Sequence, residues 1–121
     1  MNNVVLIGNL TADPESRSFA SGGQVTTLRL AVNERRKNQQ TGEWEDAPMY
    51  VDVKTFQKSA ELCMQYLKKG SKVAVQGRLC LDQWDDKTTG AKRQKHYVTA
   101  DRVEFLSPKN DDSPSKTADY D

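Results

Sequence analysis

The chain has little of what catalysis or metal binding needs. It carries one histidine and two cysteines, Cys63 and Cys80, in 121 residues. Two thiols outside a CxxC pair, beside a single imidazole, do not make the usual four-ligand zinc cage. His96 stands between Lys95 and Tyr97, with no serine, cysteine or carboxylate spaced around it as a nucleophile motif would require. No glycine-rich phosphate loop occurs, and Gly22-Gly23 suits a hairpin turn better. These absences predict a protein that is not an enzyme and uses no metal and no cofactor. Long apolar runs are missing too. The opening stretch from Val4 is interrupted at Asn9 and Thr11, so neither a secretory segment nor a membrane span is expected. The expectation is a soluble, cytoplasmic chain with no membrane partner, whose cysteines are two free, half-buried thiols in a reducing compartment.

Charge of one sign is also scarce, since the net charge is only +1. That figure averages two unlike regions. Residues 1–106 hold 16 Lys+Arg against 13 Asp+Glu, whereas residues 107–121 hold 2 against 4. The body is mildly basic and the end acidic, a split that suits a backbone-binding domain followed by a separate tail. The tail reads Lys109-Asn110-Asp111-Asp112-Ser113-Pro114 and has almost nothing to bury, which predicts disorder over 107–121.

What is present is alternation. Val4 to Leu10 is apolar and β-branched and predicts a buried strand. A turn-rich stretch, Thr11 to Gly23, leads into Gln24 to Glu34, where Leu28, Leu30 and Val32 share one face. Arg35 to Asp46 is polar and reads as a long exposed hairpin loop carrying Trp44. Met49 to Phe56 alternates again, with Val51, Val53 and Thr55 on one side and Tyr50, Asp52, Lys54 and Phe56 on the other. Ser59 as N-cap, Glu61 in the first turn and Lys68-Lys69-Gly70 at the end outline one short helix. Lys72 to Leu81 puts Val73, Val75, Leu79 and Leu81 inward, with Arg78 and Cys80 outward and Trp84 on the same outward parity. A second hairpin loop, Asp85 to Gly90, precedes a last run from His96 to Leu106, whose apolar phase changes between Ala100 and Val103 as at a bulge. Three strands, a helix and two strands predict an all-β, five-stranded OB-fold barrel with one short helix between strands 3 and 4, spanning residues 1–106.

Aromatics make up only 7% of the chain, so their placement carries information. An outward aromatic on a barrel strand leaves apolar surface in water unless something covers it. Tyr50 and Phe56 share a face with Lys54 between them, and Trp84 shares parity with Arg78. Single strands of nucleic acid are held by this combination, because every base offers a π-face and every nucleotide a phosphate. Trp44 follows no strand parity, and stacking on bases and anchoring its loop stand as equal readings. Arg35-Arg36-Lys37 at the loop base adjoins these strands and is placed to grip phosphates.

Val4-Val5-Leu6-Ile7-Gly8-Asn9-Leu10, Asp13-Pro14-Glu15, Arg17 and Gly22-Gly23, then Phe56 with Lys58, Ala60-Glu61, Tyr66 to Val73 and Gln76-Gly77-Arg78-Leu79 together resemble the bacterial single-stranded DNA-binding protein family. The likeness runs from residue 1 to about 106. It implies an OB-fold that assembles as a homotetramer and wraps single-stranded DNA during replication, repair and recombination, in the cytoplasm at the nucleoid. The family's stacking positions fall on Tyr50, Phe56 and Trp84, with Trp44 as a further candidate. Arg35, Arg36, Lys54, Lys58, Lys69, Lys72 and Arg78 are the residues expected to neutralise phosphates. Two departures stand out. Arg36 occupies a place where the family often has tryptophan, and Tyr50 one where tryptophan is common. The family's acidic end also closes on a hydrophobic tip that recruits genome-maintenance proteins; here the acidic lead-in ends at Ala118-Asp119-Tyr120-Asp121, so that partnership requires a tip following residue 121. Two other readings have their own signatures. A dimeric primosomal-type paralogue would differ in oligomer mass, and an OB module whose aromatics bind protein would show no salt-dependent affinity for oligonucleotides.

Overall fold

The computed structural model describes residues 1–107; residues 108–121, and with them nearly all of the predicted acidic tail, lie outside the described residues. Nine elements follow in order: β1 (Val4–Leu10), β2 (Glu15–Ser18), β3 (Gln24–Val32), β4 (Arg35–Lys37), β5 (Trp44–Asp46), β6 (Met49–Phe56), α1 (Gln57–Tyr66), β7 (Lys72–Asp85) and β8 (Lys92–Phe105). The main sheet runs β1-β7-β8-β6-β3-β2, and a second pairing of β1 with β3 closes it into a ring of β1, β7, β8, β6 and β3. β6 and β8 pair in parallel, and the other neighbours are antiparallel. This is the predicted five-stranded OB barrel, with its helix after the third barrel strand.

The core follows from period-two patterning. Leu28 and Leu30 of β3, Val53 of β6, Val73 and Val75 of β7, and Val98, Val103 and Phe105 of β8 meet inside the ring. Cys63 and Leu67, from α1 and the residue after it, cap one end. The phase change in β8 is a bulge: Gln76 faces Arg102 while the next residue, Gly77, faces Ala100, so Asp101 is the extra residue. At that point the strands press together. A Cβ on Gly77 would lie 2.0 Å from the Thr99 carbonyl oxygen.

The structure corrects several expectations. The turn-rich stretch contains β2, which pairs with β3 through Glu15↔Thr27 and Arg17↔Val25. The polar loop folds as a ribbon, β4 against β5, with Lys37 opposite Trp44. α1 starts at Gln57 with Phe56 as its N-cap residue, so Ser59 is not the cap and Glu61 lies beyond the first turn. Ser59 Oγ bonds Thr55 Oγ1 instead, at 2.7 Å. The helix ends at Tyr66, and Gly70, at φ +93, belongs to the turn that follows. β1 is half-buried because its outward side chains, Val5 and Ile7, are 64% and 51% exposed. Leu79 and Leu81 are 46% and 44% exposed, since the β7–β8 hairpin has left the barrel by the time it reaches them. Cys63 is fully buried, and desolvation pushes its thiol up to about 12; Cys80 is half-buried.

Candidate functional site

Opposite residues in the ladders point to the same side, so register defines the outer face of β2, β3, β6 and β8. One rung holds Arg17, Val25 and Phe56, and the next holds Thr27, Lys54 and Thr99. A third rung sets Arg29 opposite Asp52, and a fourth sets Ala31 opposite Tyr50. Tyr50 is 70% exposed, and Phe56 opens onto a groove that it lines with Arg17, Phe19, Lys54 and Tyr97. Lys54 Nζ sits 4.4 Å above the Tyr97 ring, a cation–π pair at the centre of this face. Along β7, Arg78 lies opposite Thr99 and Cys80 opposite Tyr97, which extends the face by one strand. Cys80 Sγ lies 3.2 Å from Thr99 Oγ1.

The face is bordered by two arms. Beyond Cys80 the β7–β8 hairpin carries Trp84, opposite Arg93, into a small groove shared with Gln83, Lys92 and Gln94. Its tip is built on Asp86, which accepts N–H bonds from Thr88 and Thr89 at 2.8 and 3.2 Å and from Arg93 Nε at 3.4 Å. Those two backbone donors, helped by Arg93, hold the Asp86 carboxyl below its ordinary value. The second arm is the β4–β5 ribbon. There Trp44 is exposed, Arg36 lies opposite Glu45, and Arg35 bonds the Trp44 carbonyl and pairs with Asp46 at 3.7 Å.

The expected site residues thus fall into groups. Tyr50, Lys54, Phe56 and Arg78 share the outer face, while Trp84 and Trp44 with Arg35 and Arg36 sit on separate arms. Lys58 is exposed in the first turn of α1, two residues after Phe56. Lys69 and Lys72 are not brought to this face. The Lys69 N–H bonds Asp13 Oδ1, and Lys72 lies opposite Asn9 on the β1 side of the barrel. Sequence reasoning missed Tyr97, whose outward placement could have been read from its alternation with the inward Val98. It also missed Phe19 and Arg17, which line the groove beside Phe56. Phe19 sits where no strand parity gave a signal.

Among the described residues no group of three or more His, Cys, Asp or Glu is placed to hold a metal ion, and no helix is long and apolar enough to cross a membrane.

Comparison with known proteins adds relatives to this geometry. Residues 1–106 match the model of the single-strand binding protein family. The chain is 44% identical to the single-stranded DNA-binding protein of Helicobacter hepaticus over 93% of its own length and 66% of that relative's. It is 45% identical to that of Wolinella succinogenes, over 89% and 65%. The chain therefore spans slightly less than two thirds of the length of these curated relatives. Among solved structures, the Plasmodium falciparum SSB in complex with ssDNA superposes with a TM-score of 0.81 at 26% identity, covering 88% of this chain and 96% of that one. A deletion mutant of the Thermus aquaticus single-stranded DNA binding protein gives 0.77 at 32% identity, over 88% and 51%. From its first residue to the end of β8, in sequence and in barrel, this chain belongs to the single-strand binding protein family.

Proposed function

We propose that the protein binds single-stranded DNA with little sequence preference and performs no chemistry on it. The observation that carries this reading is the outer face on which Tyr50, Phe56 and Tyr97 are interleaved with Lys54. Aromatic rings there offer bases a stacking platform, and cations offer phosphates a partner. Trp84 and Trp44, on arms beside the face, extend the path along which a strand can be held, and Arg35, Arg36, Lys58 and Arg78 lie near it. Lys69 and Lys72 then serve a strand that continues round the barrel toward β1. The ssDNA complex of the Plasmodium falciparum relative supports the reading.

The proposal includes assembly. Val5 and Ile7 form exposed apolar surface on β1, and β1 pairs with β3 only at Asn9 and Leu10, which leaves the rest of that edge open. Edges and apolar faces of this kind favour cover by another chain. A homotetramer supplies it and gives DNA a surface to wrap, in the cytoplasm at the nucleoid, during replication, repair and recombination. A hydrophobic tip following residue 121 would add recruitment of genome-maintenance proteins.

The test is fluorescence anisotropy of labelled oligo-dT, titrated at low and high salt with wild type and Phe56→Ala. Stacking is worth ~1–3 kcal/mol per base, so the variant should bind roughly 5- to 150-fold more weakly, and wild-type affinity should fall steeply with salt. No wild-type binding at low salt would remove the DNA reading.

A further inference from the structure

The third rung of the outer face differs from its neighbours. Arg29 on β3 lies opposite Asp52 on β6, and its guanidinium pairs with Glu15 on β2 at 3.5 Å. Asp52 Oδ2 in turn accepts from Lys95 Nζ of β8 at 2.8 Å, and Lys95 lies opposite Asp82 on β7. Charges thus alternate along a diagonal line across five strands, from Glu15, which lies opposite Thr27 in the neighbouring rung, through Arg29, Asp52 and Lys95 to Asp82. The Arg29–Asp52 rung runs between Tyr50 on one side and Lys54 with Phe56 on the other. A strand laid from Tyr50 to Phe56 must cross it.

An acid at the middle of a phosphate-binding face has a definite physical effect. A carboxylate 2.8 Å from Lys95 offers that ammonium what a phosphate would, already held in place, and it repels an approaching phosphate. Resting on the single-strand reading above, we propose that Asp52 is an internal competitor for the DNA backbone. It occupies Lys95 in the free protein, and so weakens binding and removes one phosphate contact from the salt dependence. The residue is a brake on affinity at the centre of the face. Such a brake keeps the bound strand exchangeable, because Asp52 can retake Lys95 whenever a phosphate lifts away.

Asp52→Asn keeps the size of the side chain and removes its charge. The pair is only partly covered, with the Lys95 side chain 58% and that of Asp52 24% exposed, and such pairs contribute little to stability, so the variant should fold. Titrated with labelled oligo-dT from low to high salt, it should bind roughly two- to fivefold more tightly than wild type at low salt. The slope of log K against log salt should steepen by about 0.7, the share of one phosphate. Lys95→Gln and the double variant close the cycle. If Asp52 acts through Lys95, adding Asp52→Asn to Lys95→Gln should change affinity little. Equal tightening in both backgrounds would mean a general charge effect and overturn the proposal, as would an Asp52→Asn variant with unchanged or weaker binding and an unchanged slope. Absence of wild-type binding would instead strike the single-strand reading itself.

Discussion

β7 is one unbroken strand with two lives. Its first half, Lys72 to Gln76, lies between β1 and β8, and its inward Val73 and Val75 are sealed in the barrel. Its second half, Arg78 to Asp85, pairs only with β8 and stands out from the barrel, leaving Leu79 and Leu81 in contact with solvent. Both halves alternate in the same way, and both have regular ladders. What separates them is whether another layer covers the inner side. Alternation decides which side a residue faces; burial depends on what stands opposite, and that is a property of the whole ring.

Gly77 is the junction, and replacing it should break the comparison most severely. With the Thr99 carbonyl carbon 2.8 Å and the Ala100 Cα 2.9 Å from a would-be Cβ, Gly77→Ala must push β7 and β8 apart. A loss of about 3 kcal/mol, the upper end of typical overpacking costs, is expected in urea unfolding. The two halves can next be compared directly. Val75→Ala removes two buried carbons and leaves a cavity, for about 2 kcal/mol. Leu79→Ala, although it removes a larger group, should cost less than about 1 kcal/mol because that side chain is half in water already. Equal losses would mean that the hairpin arm is covered in solution.

The thiols sharpen the same contrast kinetically. Cys63, buried with its thiol raised to about 12, should resist a thiol-reactive dye until the protein unfolds, whereas Cys80 on the outer sheet face should react in the native state. Two equally fast thiols in native buffer would contradict the placement of α1 over the core. The smallest effect is expected at the hairpin tip. Folding lowers the Asp86 carboxyl, so its contribution is complete above the ordinary carboxylate value and is lost as pH falls through the lower, folded one. Amide exchange at Thr88 and Thr89, corrected for its intrinsic pH dependence, should show protection fading at low pH before it fades in β3. Asp86→Asn should lose most of that pH dependence.

Much of this was legible beforehand. Leu28, Leu30 and Val53 announced their side of the barrel through strict alternation, and the phase slip between Ala100 and Val103 disclosed the bulge. Tyr50, Lys54 and Phe56 were readable as a face because they share one strand. Other features had no local signature. β2 is four exposed residues, Glu15 to Ser18, that pair with β3. The helix start was misplaced because α1 begins directly at the end of β6, with Gln57 at φ +57 and no capping side chain to mark it. The Asp52–Lys95 pair joins residues on parallel strands far apart in sequence, and parity on either strand alone cannot reveal it.

The ring's closure has a consequence for how the chain comes to be folded. β1 is made early, yet its principal partner is β7, so Val4 must wait for Gly77. Until β7 emerges from the ribosome, an apolar strand bearing Val5 and Ile7 has only the short seam with β3 for company. Pairings of such sequence separation are closed slowly, on the millisecond-to-second scale common for small barrels, and leave sticky strands open meanwhile. Birth, more than maturity, is when this molecule is most exposed to wrong company.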